Sequence, residues 1–114
     1  MTGKSSNSAQ YSPFPLVNAQ AATGTTGSID LGDVYSSFTV QIKTTGSPTS
    51  ISVQLEGSLD GSVFAIIGSA QTAAGLVLLS SATTPAVRYI RGNVTTLSGG
   101  SSPTITMMVA VKQN

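Results

Sequence analysis

The sequence predicts an all-β fold: a single antiparallel β-sandwich or jelly-roll-like domain of about seven or eight strands, with an extended N-terminal arm. Three observations support this prediction. Apolar and polar residues alternate in several short runs, Gly, Ser and Pro separate these runs, and no segment shows convincing helical periodicity. With 114 residues, the chain has room for one hydrophobic core and one domain.

The clearest strands lie in the middle of the chain. Residues 38–43 (FTVQIK) and 51–56 (ISVQLE) each alternate with a period of two, and Gly46-Ser47-Pro48 forms a turn signal between them. Because consecutive strands are usually neighbours, we expect these two runs to pair with each other as antiparallel strands. Asp60-Gly61 supplies the positive φ angles of a tight hairpin turn before the apolar run 63–67.

Other runs complete the prediction of a sandwich. We expect further strands at 29–31, 76–79, 87–97 and 104–111. The domain therefore extends over residues 28–114.

Residues 1–27 form the predicted arm. Pro13 and Pro15 exclude a helix and favour extended backbone. Ordering a 20-residue arm costs on the order of 20–40 kcal/mol, which a neighbouring protein has to offset. We expect the apolar residues of the arm to form a protein interface: Tyr11, Phe14, Pro15, Leu16 and Val17.

The composition argues against an enzyme. The chain contains no His and no Cys, so it lacks the usual general base, the common zinc ligands and both common nucleophile pairs. We predict no catalytic residues, no cofactor and no metal site. Asp30-Leu-Gly-Asp33 supplies too few oxygen ligands for calcium, and we expect these two aspartates to cap a turn, as Asp60 does in its own turn.

The charges of the chain also limit its partners. Charged residues make up 8% of the sequence and the formal net charge is +1, which is too little to neutralise a phosphate backbone. The first residues lack the apolar stretch of a secretory signal, and no run is long enough for a membrane span. We therefore expect a protein made in a cytoplasm that binds neither nucleic acid nor membrane.

The remaining charged residues leave alternatives open. Lys43 and Glu56 lie on the polar faces of their strands and are placed for an exposed cross-strand pair. Arg88 and Arg91 should lie on opposite faces of one strand unless a bulge near Gly92 intervenes. They are either a solvated pair, or one of them is buried or part of an interface.

Three segments resemble small virion proteins of tailed bacteriophages, of the β-sandwich type that decorates heads or occurs in tails. The segments are VQLEGSLDGSVF (53–64), VRYIRGNVTTL (87–97) and GGSSPTI (99–105), and the resemblance covers roughly residues 36–112. Similar sequence segments occur in discoidin-like carbohydrate-binding sandwiches, which carry an aromatic residue after the Asp-Gly turn. Phe64 stands at that position, and we expect it in the core.

The resemblance implies a capsid decoration, or cement, protein. Such a protein is made in the host cytoplasm and located on the capsid surface of the virion. It forms a homo-oligomer (a trimer is favoured) and binds the major capsid protein, often through a terminal arm. The alternative is a tail or baseplate module that binds a host-surface glycan through a groove containing Tyr35 or Tyr89. A hydrolase that uses Asp30 and Glu56 is the third hypothesis.

Overall fold

The computed structural model describes residues 10–79 and 86–112, and these residues form an antiparallel β-sandwich. The all-β prediction is therefore confirmed. The described residues contain nine strands: β1 (Gln10–Gln20), β2 (Gly24–Thr25), β3 (Ile29–Tyr35), β4 (Ser37–Thr45), β5 (Ser50–Ser58), β6 (Ala65–Gln71), β7 (Gly75–Leu79), β8 (Val87–Ser98) and β9 (Thr104–Lys112). The described residues include no helix that could cross a membrane.

The nine strands are divided between two sheets. The first sheet has the order β1-β9-β4-β7, and the second has the order β2-β8-β5-β6, with β3 also paired to β8. Strands β2 and β3 share one edge of β8, because β2 pairs with residues 93–94 and β3 pairs with residues 87–90. The predicted hairpin is present, since β5 and β6 are antiparallel neighbours. The predicted tight turn is wrong, because residues 59–64 separate the two strands and, of the pair Asp60-Gly61, the glycine alone has a positive φ.

The core lies between the sheets and consists of the inward-facing residues of nearly every strand. Strand β4 shows the alternation of inward and outward side chains clearly. Phe38, Val40 and Ile42 are at most 2% exposed, while Gln41 and Lys43 face solvent. Strand β9 supplies Ile105, Met107 and Val109 in the same way, all fully buried. The period of two in the sequence thus corresponds to a real division between core and surface.

The predicted pairing of the runs 38–43 and 51–56 is wrong. Strand β4 lies in the first sheet and β5 in the second, so the two apolar faces meet across the core. The link between them crosses from one sheet to the other at Gly46, whose φ of 77° is in the left-handed region. The β8–β9 link crosses beside it, and the N–H of Ser101 donates to the carbonyl oxygen of Gly46 at 2.8 Å.

The predicted arm needs a correction for the residues that the structure describes. Strand β1 forms an edge of the first sheet and pairs with β9, so residues 10–20 belong to the sandwich. Edge strands accept Pro13 and Pro15 because the N–H that proline lacks can face away from the sheet. This strand and the two-residue β2 also explain why the described strands exceed the predicted seven or eight. Residues 1–9 lie outside the described part.

Candidate functional site

One end of the second sheet brings together charged and aromatic side chains, namely Glu56, Asp60, Phe64, Tyr89 and Arg91. The segment from Ser58 to Phe64, which we call the Asp60 loop, connects β5 to β6 at this end. Side chains of β5 and β8 lie beside it on the outer face of the same sheet. Loops and sheet faces with such groups are where binding sites of β-sandwiches are expected.

The Asp60 loop is held by its own hydrogen bonds. Oδ1 of Asp60 accepts the backbone N–H groups of Ser62 (2.8 Å) and Val63 (3.1 Å), and the hydroxyl of Ser58 donates to the same oxygen at 3.0 Å. The Ser58 oxygen in turn accepts the N–H of Gly61 at 3.0 Å. These N–H donors keep the pKa of Asp60 below its ordinary value. The predicted turn role of Asp60 is confirmed, and the loop presents its side chains from a fixed backbone.

Glu56 is the buried acid of the site. Its Oε1 accepts Nε of Arg91 at 2.7 Å, and its Oε2 accepts the side-chain amides of Gln54 at 2.6 Å and Asn93 at 3.0 Å. Burial pulls the pKa of Glu56 upward, but the bonds from Asn93, Gln54 and Arg91 outweigh burial, so the pKa lies below its ordinary value. The expected pair with Lys43 is wrong, because Lys43 belongs to the other sheet.

Arg91 links this acid to an aromatic ring. Its guanidinium carbon lies 4.0 Å from the ring centroid of Phe64, a distance typical of cation–π stacking. Nε binds Glu56, and the two Nη atoms have no partner within the described residues. The expectation that Phe64 belongs to the core is wrong, because the ring is half-buried beneath Arg91 on the outer face.

The two tyrosines of the glycan hypothesis are in different environments. Tyr35 is 4% exposed in the core, so it cannot serve as a ligand platform. Tyr89 is half-buried beside the Asp60 loop, with the guanidinium of Arg88 5.6 Å from its centroid. A Cβ atom added to Gly61 would lie 3.3 Å from the Tyr89 ring, so the turn and the ring are in close contact. Only Tyr89 remains a candidate for that hypothesis.

Three apolar side chains project from the loop and the strand after it. Leu59 is 67% exposed, Val63 is 76% exposed and Ile66 is 42% exposed, and we call them the loop patch. They border a groove of about 420 Å³ whose other walls include Phe64 and Val87. Apolar side chains on an ordered loop beside a groove are typical of a surface that binds another molecule.

The other two acids, Asp30 and Asp33, belong to β3, which pairs with the edge of β8 opposite to β5. Asp30 accepts the N–H of Gly32 at 2.8 Å, and Asp33 accepts the N–H of Val34 at 2.8 Å. Both aspartates lie within the irregular strand β3 and not in a turn between strands, so the predicted turn role is wrong, although each caps a nearby N–H group as expected. Asp30 also receives Nε and Nη2 of Arg88, and the Arg88 hydrogen bond holds its pKa below the ordinary value. The two arginines therefore bind acids on different neighbouring strands. The side chain of Arg88 is 45% exposed and that of Arg91 is 30% exposed, so both remain in contact with solvent.

The acids do not form a two-carboxylate site. Glu56 and Asp30 are each bound to a different arginine, on strands that flank opposite sides of β8. Each carboxylate therefore already has a fixed structural role. Within residues 10–79 and 86–112, no group of three acidic side chains could hold a metal ion.

The five predicted interface residues are divided by strand β1. Leu16 and Val17 are 6% and 0% exposed and pack in the core, so their side chains are not available to a neighbouring protein. Phe14 is half-buried against the core and Pro15 is exposed. For Tyr11 only the backbone, which pairs with Val111, is described. An interface through Phe14 and Pro15 stays a prediction.

Sequence reasoning identified the Asp60 turn but not the network around Glu56. The run VQLE predicts an exposed polar face at Glu56, and nothing local distinguishes this position from Gln54. Register was the missing information, because Glu56 lies opposite Arg91 only once β5 and β8 are paired. The odd spacing of Arg88 and Arg91 was the available signal that the two arginines have separate partners.

Comparison with solved structures supports the fold. The SPBc2 prophage-derived protein YomS is similar, with a TM-score of 0.66, 14% identity and coverage of 90% of this chain and 91% of that one. The CBM32 of AlyQ, solved in complex with 4,5-unsaturated mannuronic acid, has a TM-score of 0.53 at 17% identity, with 82% and 75% of the two chains covered. CpGH89CBM32-6 from Clostridium perfringens has a TM-score of 0.52 at 11% identity, with 93% and 94% covered. No protein-family model matches the sequence, and no curated protein matches it either.

Proposed function

We propose that this protein is a non-enzymatic structural protein of a bacteriophage particle, which decorates the capsid by binding the major capsid protein. The loop patch carries this proposal. Leu59 and Val63 on the Asp60 loop and Ile66 on β6 expose apolar side chains to water, and covering them with a partner lowers the free energy of the system. The proposed location is the capsid surface of the virion.

Two further observations support a virion protein. The likeness to YomS, a prophage-derived protein, covers nine-tenths of both chains, so nearly all of that prophage-derived chain has this fold. The surface is rich in hydroxyl groups and poor in charge, with 8% charged residues, so neighbouring copies repel one another weakly. Both features suit a small protein present in many copies on a lattice.

The size of the loop patch sets the expected affinity. Burying the exposed parts of Leu59, Val63 and Ile66 contributes roughly 3–6 kcal/mol at about 1.5–3 kcal/mol for a whole side chain. Association costs about 4 kcal/mol or more, so one copy binds weakly through this patch alone. Contacts by Phe14 and Pro15 of β1, and the repetition of sites on a lattice, would strengthen the binding.

The test compares two charge substitutions at opposite ends of the sandwich. Val63→Asp places a carboxylate in the loop patch, and Ser101→Asp places the same charge in the exposed β8–β9 link. We expect Val63→Asp to reduce co-sedimentation with capsids lacking the protein at least tenfold and Ser101→Asp to leave it unchanged. Circular dichroism confirms that both variants are folded.

Two results would count against capsid decoration. Unchanged capsid occupancy of Val63→Asp would show that the loop patch is not the contact. Immunogold labelling of virions distinguishes the location, because label over the heads supports decoration and label at the tail tips supports the alternative.

The second candidate function is a tail or baseplate module that binds a host-surface glycan. It is favoured by the guanidinium of Arg91, which lies on the Phe64 ring with two Nη atoms facing no partner in the described chain, beside Tyr89. The likeness to two CBM32 domains, a class of carbohydrate-binding module, agrees with it. Glycan-array binding that is lost in Phe64→Ala and Tyr89→Ala but kept in Val63→Asp would establish this function in place of decoration.

A further inference from the structure

The outer face of the first sheet is distinct from the site around the Asp60 loop. We call it the neutral face, and its central residues are all uncharged: Pro13, Pro15, Thr39, Gln41, Leu76, Met108 and Ala110. We propose that two copies of this chain pair through their neutral faces. This inference does not depend on capsid binding.

The neutral face carries an apolar projection next to an apolar hollow. Leu76, on the edge strand β7, is 65% exposed. Beside it lies a hollow of about 160 Å³ whose walls include Pro13, Met108 and Ala110. The hollow is several times the ~30 Å³ of one water molecule, so it has room for an apolar side chain. In a symmetric pair, Leu76 of each copy packs into the hollow of the other.

The charges of the molecule favour a second copy as the occupant. The four carboxylates, at Asp30, Asp33, Glu56 and Asp60, all belong to the second sheet or its loop. Two lysines belong to the β4–β9 ladder, and they lie away from its centre, because Lys43 pairs with Thr106 two pairs from one end and Lys112 pairs with Ser37 at the other end. Two neutral centres therefore meet with the lysines at the margins of the contact, where their ammonium groups can still reach water, whereas a charged partner surface would bury charge at the centre.

The area agrees with a weak but specific pair. Four strands of five to eleven residues, about 4.8 Å apart, cover about 500 Å². A pair then buries about 1,000 Å², the lower limit for specific interfaces, so we expect dimerisation that depends on concentration. In a face-to-face contact each copy uses its one neutral face, so no face is left for a third copy. The contact therefore predicts a dimer and not the trimer favoured by the family resemblance.

The absence of cysteine from the sequence allows a direct cross-linking test. Leu76 and Met108 both pair with Gln41, so they lie two strands apart, about 9–10 Å. This separation exceeds the ~7 Å limit for a disulfide, so the double variant Leu76→Cys with Met108→Cys can form disulfides only between copies. We expect rapid formation of a covalent dimer under mild oxidation. The matched control, Ser62→Cys with Ser101→Cys, places both thiols on exposed loops and should cross-link no faster than random collision allows.

Sedimentation velocity of the protein without cysteines provides the second measurement. The unmodified chain should shift from monomer to dimer as its concentration rises, Leu76→Asp should remain monomeric, and Val63→Asp should still dimerise. A monomer at every concentration, a trimer, or a dimer that survives Leu76→Asp would overturn the inference. The two proposals can fail separately. Val63→Asp tests capsid binding through the loop patch, and Leu76→Asp tests dimerisation through the neutral face.

Discussion

Replacing Glu56 by alanine tests the network that holds Arg91 in place. The side chain of Glu56 is 8% exposed and accepts three hydrogen bonds, while that of Arg91 is 30% exposed. Removing one partner of a fully buried ion pair costs about 3–5 kcal/mol. Water can reach Arg91 in the variant, so we expect Glu56→Ala to lower the free energy of unfolding by about 2–3 kcal/mol. This loss corresponds to a melting temperature lower by ~10–15 °C in a domain of this size.

Urea denaturation and thermal melting followed by circular dichroism at neutral pH measure this loss. Asp30→Ala is the matched control, because it removes an acid that also binds an arginine of β8, in an exposed pair with both side chains more than 40% exposed. We expect its effect to be much smaller. Equal losses of stability in the two variants would refute the argument that burial makes the Glu56 network the stronger one.

Three other predictions concern the pH dependence of the Glu56 network, the packing between the sheets and the role of strand β1. Because the pKa of Glu56 is lower in the folded state than in the unfolded state, its stabilising contribution is complete above the unfolded pKa and lost as the pH falls through the folded one. The stability difference between the unmodified chain and Glu56→Gln should therefore disappear in acid, and a difference that persists at pH ~2 would contradict this. Gly92→Ala places a Cβ against Val17 between the sheets and should cost about 1–3 kcal/mol, whereas Gly27→Ala, with no atom within 4 Å of the added Cβ, should be neutral in the same denaturation assay. Deletion of residues 1–20 should abolish the folded circular dichroism signal because it removes β1, and a stable sandwich after this deletion would show that β1 is dispensable.

The alternation of residues on β4, β5 and β9 is a local property, and for this reason the strands and their buried faces could be predicted. A side chain in a strand faces one side or the other according to its position, whatever the partner strand is. The Asp60 turn was predictable for a similar reason, since Asp60 bonds N–H groups within three residues of itself. Both features depend only on neighbours in the chain.

The arm and the β4–β5 pairing could not be predicted in the same way. A short link such as 46–49 is compatible with a hairpin and with a crossing between sheets, and only the packing of the two apolar faces decides between them. The prolines of β1 likewise suggest a segment outside the sheet until its edge position is known. Leu16 and Val17 became core residues because β9 had an open edge for β1 to occupy.

The sequence by itself determined an all-β domain with a charge-poor surface, no histidine or cysteine chemistry and a chain reversal at Asp60. The tertiary structure decided which residues make up each surface. It placed Glu56 opposite Arg91, brought Arg91 over Phe64, buried Tyr35 and left Leu76 beside a hollow. The physical reason is that strand register and sheet order bring together residues far apart in the chain, and no local pattern contains that information.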